Sequence, residues 1–153
     1  MCYTNFKEQK SEQVEGYKVV IKDNEGKFYS MSTLVEYQIG EIPKLMDKAD
    51  VNKRIDLFDR MKLNYQTLVT IATPKTEHLN NHIYDKDYKG SALFQDLEDC
   101  EYFFTNGWIN SHSDYDNLCI VKITGNLIGT AEYYGNELLY LIDEIEEIEE
   151  WIE

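Results

Sequence analysis

Runs of β-forming residues predict a sheet. A β-hairpin is expected over residues 17–32, with its turn at Gly26, because glycine readily adopts the positive φ that a tight turn requires. Residues 65–73 and residues 118–124 are apolar and β-branched, which predicts two buried strands. The glycine and asparagine at residues 125–126 are expected to end the second of these strands.

Amphipathic periodicity predicts helices in three other segments. Apolar residues at three- and four-residue spacings indicate one or two short helices within residues 44–63. A short helix is expected over residues 96–105, with Asp96 as its N-cap and Cys100 on its buried face. Residues 133–142 are β-prone, but from residue 142 to residue 151 apolar residues recur at every third position, which predicts an acidic C-terminal helix within residues 137–153. Its apolar stripe consists of Ile142, Ile145, Ile148 and Trp151.

These elements predict a single α+β domain with a mixed or mainly antiparallel sheet and a few short helices. The chain has 153 residues, which is enough for one domain with its own core and too few for two of ordinary size. Residues 1–15 are polar and lack periodicity, so a loose N-terminal arm is expected. Residues 44–89 separate the two groups of strands and are predicted to be an insertion.

The net charge limits the class of partner. The chain has 29 Asp and Glu against 15 Lys and Arg, a formal net charge of −14. Eight of these acids and none of the bases lie in residues 137–153. A strongly negative surface repels nucleic acid and anionic membranes and attracts basic proteins. We therefore expect a protein partner with a basic surface, and we expect neither direct nucleic-acid binding nor membrane binding.

The acidic C-terminal segment is the predicted partner-binding site. Its carboxylates can meet lysines and arginines of another protein, and nearby tyrosines can supply contact area at a low conformational cost. Two alternatives are a helix that only packs on the sheet and a homodimer that buries the apolar stripe against a second copy. The predicted partner-binding residues are Asp143, Glu144, Glu146, Glu147, Glu149, Glu150, Trp151, Tyr133 and Tyr134.

Few residues are arranged for catalysis or metal binding. His78 and His82 would share one face of a helix, but no third ligand accompanies them at a typical spacing. Cys2, Cys100 and Cys119 form no CxxC pair, and the last two lie where apolar side chains are expected. We predict no metal, no cofactor and no catalytic residue. Free thiols are typical of a reducing compartment, and the sequence has no run of roughly 20 apolar residues that could span a membrane. We therefore expect a cytoplasmic protein.

Three blocks of the sequence resemble small phage and prophage proteins. The first joins GYKVV and GKFYS, within residues 16–30, to VEYQIGE at residues 35–41. The second is ALFQDLEDCEYF at residues 92–103, and the third is CIVKITG at residues 119–125. The resemblance implies an origin in a mobile element. It also implies a compact α+β fold that is similar to ADP-ribosyltransferase-type sheets.

Charge and resemblance together lead to a functional hypothesis. The chain is expected to be a phage- or prophage-encoded protein that inhibits a basic, nucleic-acid-binding defence protein in the cytoplasm of a bacterial host. It would act as an anti-CRISPR protein does, by mimicking nucleic acid. The alternative is a small nucleotide-binding or ADP-ribosyltransferase-like enzyme with a pocket that contains Ser32 or Thr33. Its catalytic glutamate would be Glu132 or Glu137.

Overall fold

The described part of the chain is an antiparallel sheet with a short helix packed on it. The computed structural model describes residues 4–10, 12–30, 36–41, 53, 56, 91–106, 118–133 and 137–152. The elements are β1 (Thr4–Glu8), β2 (Gln13–Lys22), β3 (Phe28–Tyr29), β4 (Ser91–Phe94), α1 (Leu97–Asn106), β5 (Leu118–Tyr133) and β6 (Glu137–Glu150). The predicted mainly antiparallel sheet and the helix over residues 96–105 are therefore confirmed.

Part of the predicted architecture lies outside the described residues. This applies to the strand over residues 65–73 and to nearly all of the insertion over residues 44–89. Within that insertion, Lys53 and Asp56 have helical backbone conformation. Residues 4–8, which belong to the predicted loose arm over residues 1–15, form β1.

The long strand β5 organises the sheet, since both of its edges are paired. One edge pairs with β1 and β2, and the other pairs with β6. β4 in turn pairs with β6 and, through Tyr17 opposite Phe94, with β2. The pairings thus run from β5 through β6, β4 and β2 and return to β5. This closure brings residues from distant parts of the chain onto neighbouring strands.

Apolar side chains form a cluster on each face of the sheet. On β5, Leu118 and Ile120 belong to one cluster, while Val121 and Ile123 belong to the other, because successive residues of a strand point to opposite faces. α1 covers the first cluster with its fully buried Cys100. The second cluster contains Val20, Tyr37, Leu93, Ile142 and Ile145 as well.

The predicted hairpin is confirmed, and a buried carboxylate organises its turn. Asp23 Oδ1 accepts hydrogen bonds from the backbone N–H groups of Glu25 (2.9 Å) and Lys27 (2.8 Å). Its Oδ2 accepts a hydrogen bond from the Tyr29 hydroxyl at 2.7 Å. Gly26 has a φ of 83°, a conformation that glycine adopts without the steric cost of a side chain. The turn is therefore held by Asp23 and permitted by Gly26.

Replacing Asp23 by asparagine is expected to lower the free energy of unfolding by about 1–3 kcal/mol at pH 7, because a charged acceptor is lost. Burial acts to raise the pKa of Asp23, but the hydrogen bonds from Tyr29, Lys27 and Glu25 outweigh it and hold the pKa below its ordinary value. The carboxylate therefore stabilises the fold above the unfolded-state pKa of about 4, and this stabilisation is lost as pH falls through the lower folded-state pKa.

Urea unfolding between pH 2 and pH 7 measures this effect. D23N should flatten the acid limb of the stability curve. The matched control is Glu25→Gln in the same turn, since its carboxylate is exposed and, within the described residues, forms a surface ion pair with Lys27 at 3.3 Å. We expect E25Q to change stability by less than about 1 kcal/mol. Equal losses in the two variants would contradict the role of Asp23.

The prediction of an acidic C-terminal helix was wrong, because these residues form the strand β6. In a helix, the many glutamates would repel one another at i,i+4 spacing. In the strand, two of them reach lysines on neighbouring strands instead, Glu149 with Lys122 and Glu150 with Lys22. The β-branched isoleucines also favour extended backbone.

Bulges explain how a period of three residues is compatible with a strand. Residues three apart on a regular strand point to opposite faces, yet Ile142 and Ile145 are both buried in the second cluster and Ile148 packs against it. The register shifts twice along this stretch, and each shift adds one residue to β6 relative to β5. Such bulges return the next isoleucine to the same face.

The strand β5 does not end at residues 125–126 as predicted, but continues to Tyr133. A Cβ atom on Gly125 would lie 2.6 Å from Ile142 Cδ1 and 2.7 Å from the Glu144 carbonyl oxygen. The glycine therefore leaves room for the bulged part of β6 to approach closely. Its role is to allow close pairing inside the sheet rather than to form a turn.

Candidate partner-binding surface

The bulged part of the β5–β6 pair gathers acidic residues from three segments of the chain. The Leu127 N–H donates a hydrogen bond to the Glu12 carbonyl oxygen at 2.9 Å. The Ile145 N–H likewise donates to the Glu41 carbonyl oxygen at 3.2 Å. These contacts bring the chain before β2 and the chain around residue 40 to the same end of the sheet. We call this surface the acidic end; it consists of Glu12, Glu15, Glu41, Asp143, Glu144, Glu146 and Glu147.

Strand register places two of these carboxylates on one face. Glu15 of β2 lies opposite Thr124 of β5, and Thr124 lies opposite Glu147 of β6. Directly opposed residues share a face, so the two exposed glutamates flank Thr124 at about two strand spacings, roughly 10 Å. Among the described residues, no residue of the acidic end forms a salt bridge. Lys122, which pairs with Glu149, also interacts electrostatically with Glu15, so within the described part of the chain most of this negative charge is available to a partner.

Two predicted partner-binding residues are neutralised within the chain. Glu149 Oε1 lies 3.0 Å from Lys122 Nζ, and Glu150 Oε2 lies 2.6 Å from Lys22 Nζ. The hydrogen bond and the charge of the glutamate raise the lysine pKa in each pair. These pairs connect β6 to β5 and β2, so Glu149 and Glu150 contribute to the internal structure of the sheet.

The aromatic residues of the predicted site pack mainly inside the molecule. Trp151 is half-buried, its ring meets that of Tyr17 edge-on at 5.9 Å, and its backbone N–H donates to the Ile120 carbonyl oxygen at 2.8 Å. Tyr133 is half-buried against the ring of Phe94, with the centroids 5.8 Å apart. The remaining predicted aromatic, Tyr134, lies outside the described residues.

The described cysteines are not activated for chemistry. Burial raises the pKa of both Cys100 and Cys119 to about 12, so both thiols are protonated near neutral pH and are poor nucleophiles. Over the ranges that the structure covers, no group of three or more His, Cys, Asp or Glu is placed to hold a metal ion. His78 and His82 lie outside those ranges.

The enzyme alternative stays a prediction, since Ser32 and Thr33 also lie outside the described residues. Of its two candidate glutamates, Glu132 accepts a hydrogen bond from Asn5 Nδ2 at 2.7 Å, and Glu137 is half-buried at the start of β6. No helix in the described part of the chain is long and apolar enough to cross a membrane.

No protein-family model, curated protein or solved structure matches the chain. A functional assignment therefore depends on the surface itself. Sequence reasoning identified the four acids that the acidic end takes from β6 and missed Glu12, Glu15 and Glu41. The polar residues at the start of β2 indicated exposure, but the sequence does not show that β2 pairs with β5 beside the bulges.

Proposed function

We propose that the protein binds a basic surface of another protein through the acidic end. The observation that supports this most directly is the clustering of seven acidic residues from three segments around the bulges, with Glu15 and Glu147 on one face and none in a salt bridge among the described residues. Like charges held close together repel one another and weaken the fold. A basic partner would relieve this repulsion. Electrostatic attraction would also increase the rate at which the partner associates with the site.

The proposed partner is a host defence protein that uses its basic surface to hold nucleic acid. Carboxylates on a rigid sheet can occupy a groove that otherwise binds phosphates, which would make the protein a competitor of nucleic acid. The resemblance to phage and prophage proteins favours a defence effector in the bacterial cytoplasm, such as a CRISPR nuclease. The protein would then act as a binding inhibitor.

Neutralising four acids of the acidic end tests this function. We expect Asp143→Asn combined with Glu144→Gln, Glu146→Gln and Glu147→Gln to weaken binding to a Cas9-type nuclease by about tenfold or more, because several favourable charge contacts are lost. The measurement is competition against guide RNA and target DNA at several salt concentrations. Wild-type inhibition should weaken as salt rises.

A matched control separates local contact from net charge. The control variant replaces Glu25 in the β2–β3 turn, Asp96 just before α1, and Glu98 and Glu101 on α1 by their amides, which alters the net charge by the same amount at positions away from the acidic end. This variant should inhibit nearly as well as the wild type. The function would be refuted if inhibition were independent of salt and equal in both variants. Glu149 and Glu150 are left intact because their loss would also break ion pairs within the sheet.

A further inference from the structure

The strand β6 has an outer edge, facing away from β5, whose backbone groups have no partner among the described residues over part of its length. The Trp151 N–H donates to the Ile120 carbonyl oxygen, and Val121 lies opposite Glu150. In antiparallel pairs, hydrogen-bonded and non-bonded positions alternate. The N–H and C=O groups of Glu147 and Glu149 therefore face β5. Those of Ile148 and Glu150 face the outer edge.

Most of the rest of this outer edge is paired. β4 covers it at the start of β6, from Leu139 opposite Phe94 to Ile142 opposite Ser91. Beyond β4, Ile145 exchanges backbone hydrogen bonds with the chain at residues 40–41. From Glu146 to Glu150, no strand pairing or backbone hydrogen bond to the outer edge comes from any described residue. We call this stretch, residues 146–150, the open edge.

An open strand edge is a template for another extended segment, because its N–H and C=O groups can continue the sheet. The side chains of the open edge determine which segment fits. Four of its five residues are glutamates. Glu149 and Glu150 are already paired with Lys122 and Lys22, but Glu146 and Glu147 have no salt bridge among the described residues, so a second copy of β6 would place unpaired carboxylates beside one another, which is destabilising. A segment with lysines or arginines would place opposite charges across the new strand pair, which is stabilising.

We propose that the open edge binds an extended, lysine- or arginine-bearing segment of the partner by β-strand addition. This inference rests on the proposed function and specifies how the partner is held. Backbone hydrogen bonds to Ile148 and Glu150 would fix the register of the added strand. The acidic end, which shares Glu146 and Glu147 with the open edge, would supply electrostatic attraction.

Three synthetic seven-residue peptides test the inference with the full-length protein. The first alternates lysine and valine. The second has the same sequence but carries an N-methyl group on every backbone nitrogen, which keeps the charge and removes the hydrogen-bond donors of both edges. The third replaces each lysine with glutamate. NMR of the isotope-labelled protein gives the affinity of each peptide and the exchange rate of each backbone amide.

The lysine–valine peptide is expected to bind about tenfold more tightly than its N-methylated counterpart, since the latter cannot complete the ladder. Its binding should slow amide exchange at Ile148 and Glu150 by about tenfold or more. Glu147 and Glu149 serve as internal controls, because their amides already face β5 and should change little. The glutamate peptide should not bind.

Other results overturn strand addition without deciding the proposed function. Equal binding of the lysine peptide and its N-methylated form would show that charge alone attracts the partner, so the proposed function would stand without strand addition. Failure of the lysine peptide to bind would refute the open edge as a site. The nuclease competition assay would still judge the function separately. Slowed exchange at Ile148 and Glu150 on raising the protein concentration alone would identify a second copy as the occupant.

Discussion

Phe94→Ala should lower the free energy of unfolding by about 3–5 kcal/mol, as expected for removal of a fully buried aromatic ring. Phe94 is completely buried in β4. Its ring lies 5.5 Å from that of Phe103 on α1 and 5.8 Å from that of Tyr133 on β5, centroid to centroid. Because one ring joins two strands to the helix, its loss leaves a cavity at the point where all three meet.

Urea unfolding followed by circular dichroism measures this loss. The control is Tyr102→Ala. Tyr102 also belongs to α1, but it is 61% exposed, so it lies outside the contact between the helix and the sheet. We expect the control to change stability by less than about 0.5 kcal/mol. Similar losses in F94A and Y102A would mean that α1 does not pack on the sheet through the face described above.

Ile145→Ala should destabilise the protein by about 2–5 kcal/mol, the usual cost of truncating a fully buried isoleucine. Ile145 is completely buried in the second cluster. It also lies between the two register shifts of β6, where its backbone pairs with residues 40–41. The substitution therefore removes core contacts from the bulged region that supports the acidic end.

Ile152→Ala provides the matched control, because the same substitution is made in the same C-terminal segment at a residue that is 78% exposed. This change should cost less than about 0.5 kcal/mol. For a chain of this size, each 1 kcal/mol corresponds to about 2–4 °C in Tm, so thermal unfolding would resolve the difference. A small effect of I145A would contradict the burial of this residue in the sheet.

The fold and the proposed binding mode share one structural origin, the bulged pairing of β5 and β6. Gly125 allows the close approach, and the extra residues of β6 keep its isoleucines in the core. The same bulges contain Asp143, Glu144 and Glu146, whose half-exposed side chains contribute to the acidic end. A variant that removed a bulge residue should therefore disturb both stability and partner binding.

The sequence by itself determined the elements whose evidence is local. A run of β-forming residues and a glycine turn identified the β2–β3 hairpin, and the spacing around Cys100 identified α1. The concentration of charge in residues 137–153 also located most of the acidic end. These properties depend on neighbouring residues, so periodicity and composition are sufficient to predict them.

Tertiary structure alone decided the conformation of the acidic segment and the availability of its charges. A three-residue period suits a helix, and it suits a strand only where bulges add residues, which depends on the pairing with β5. Likewise, Glu149 and Glu150 resemble Glu146 and Glu147 in sequence, yet only the first two reach Lys122 and Lys22. Such long-range pairing joins residues more than 100 positions apart in some cases, so no local pattern records it.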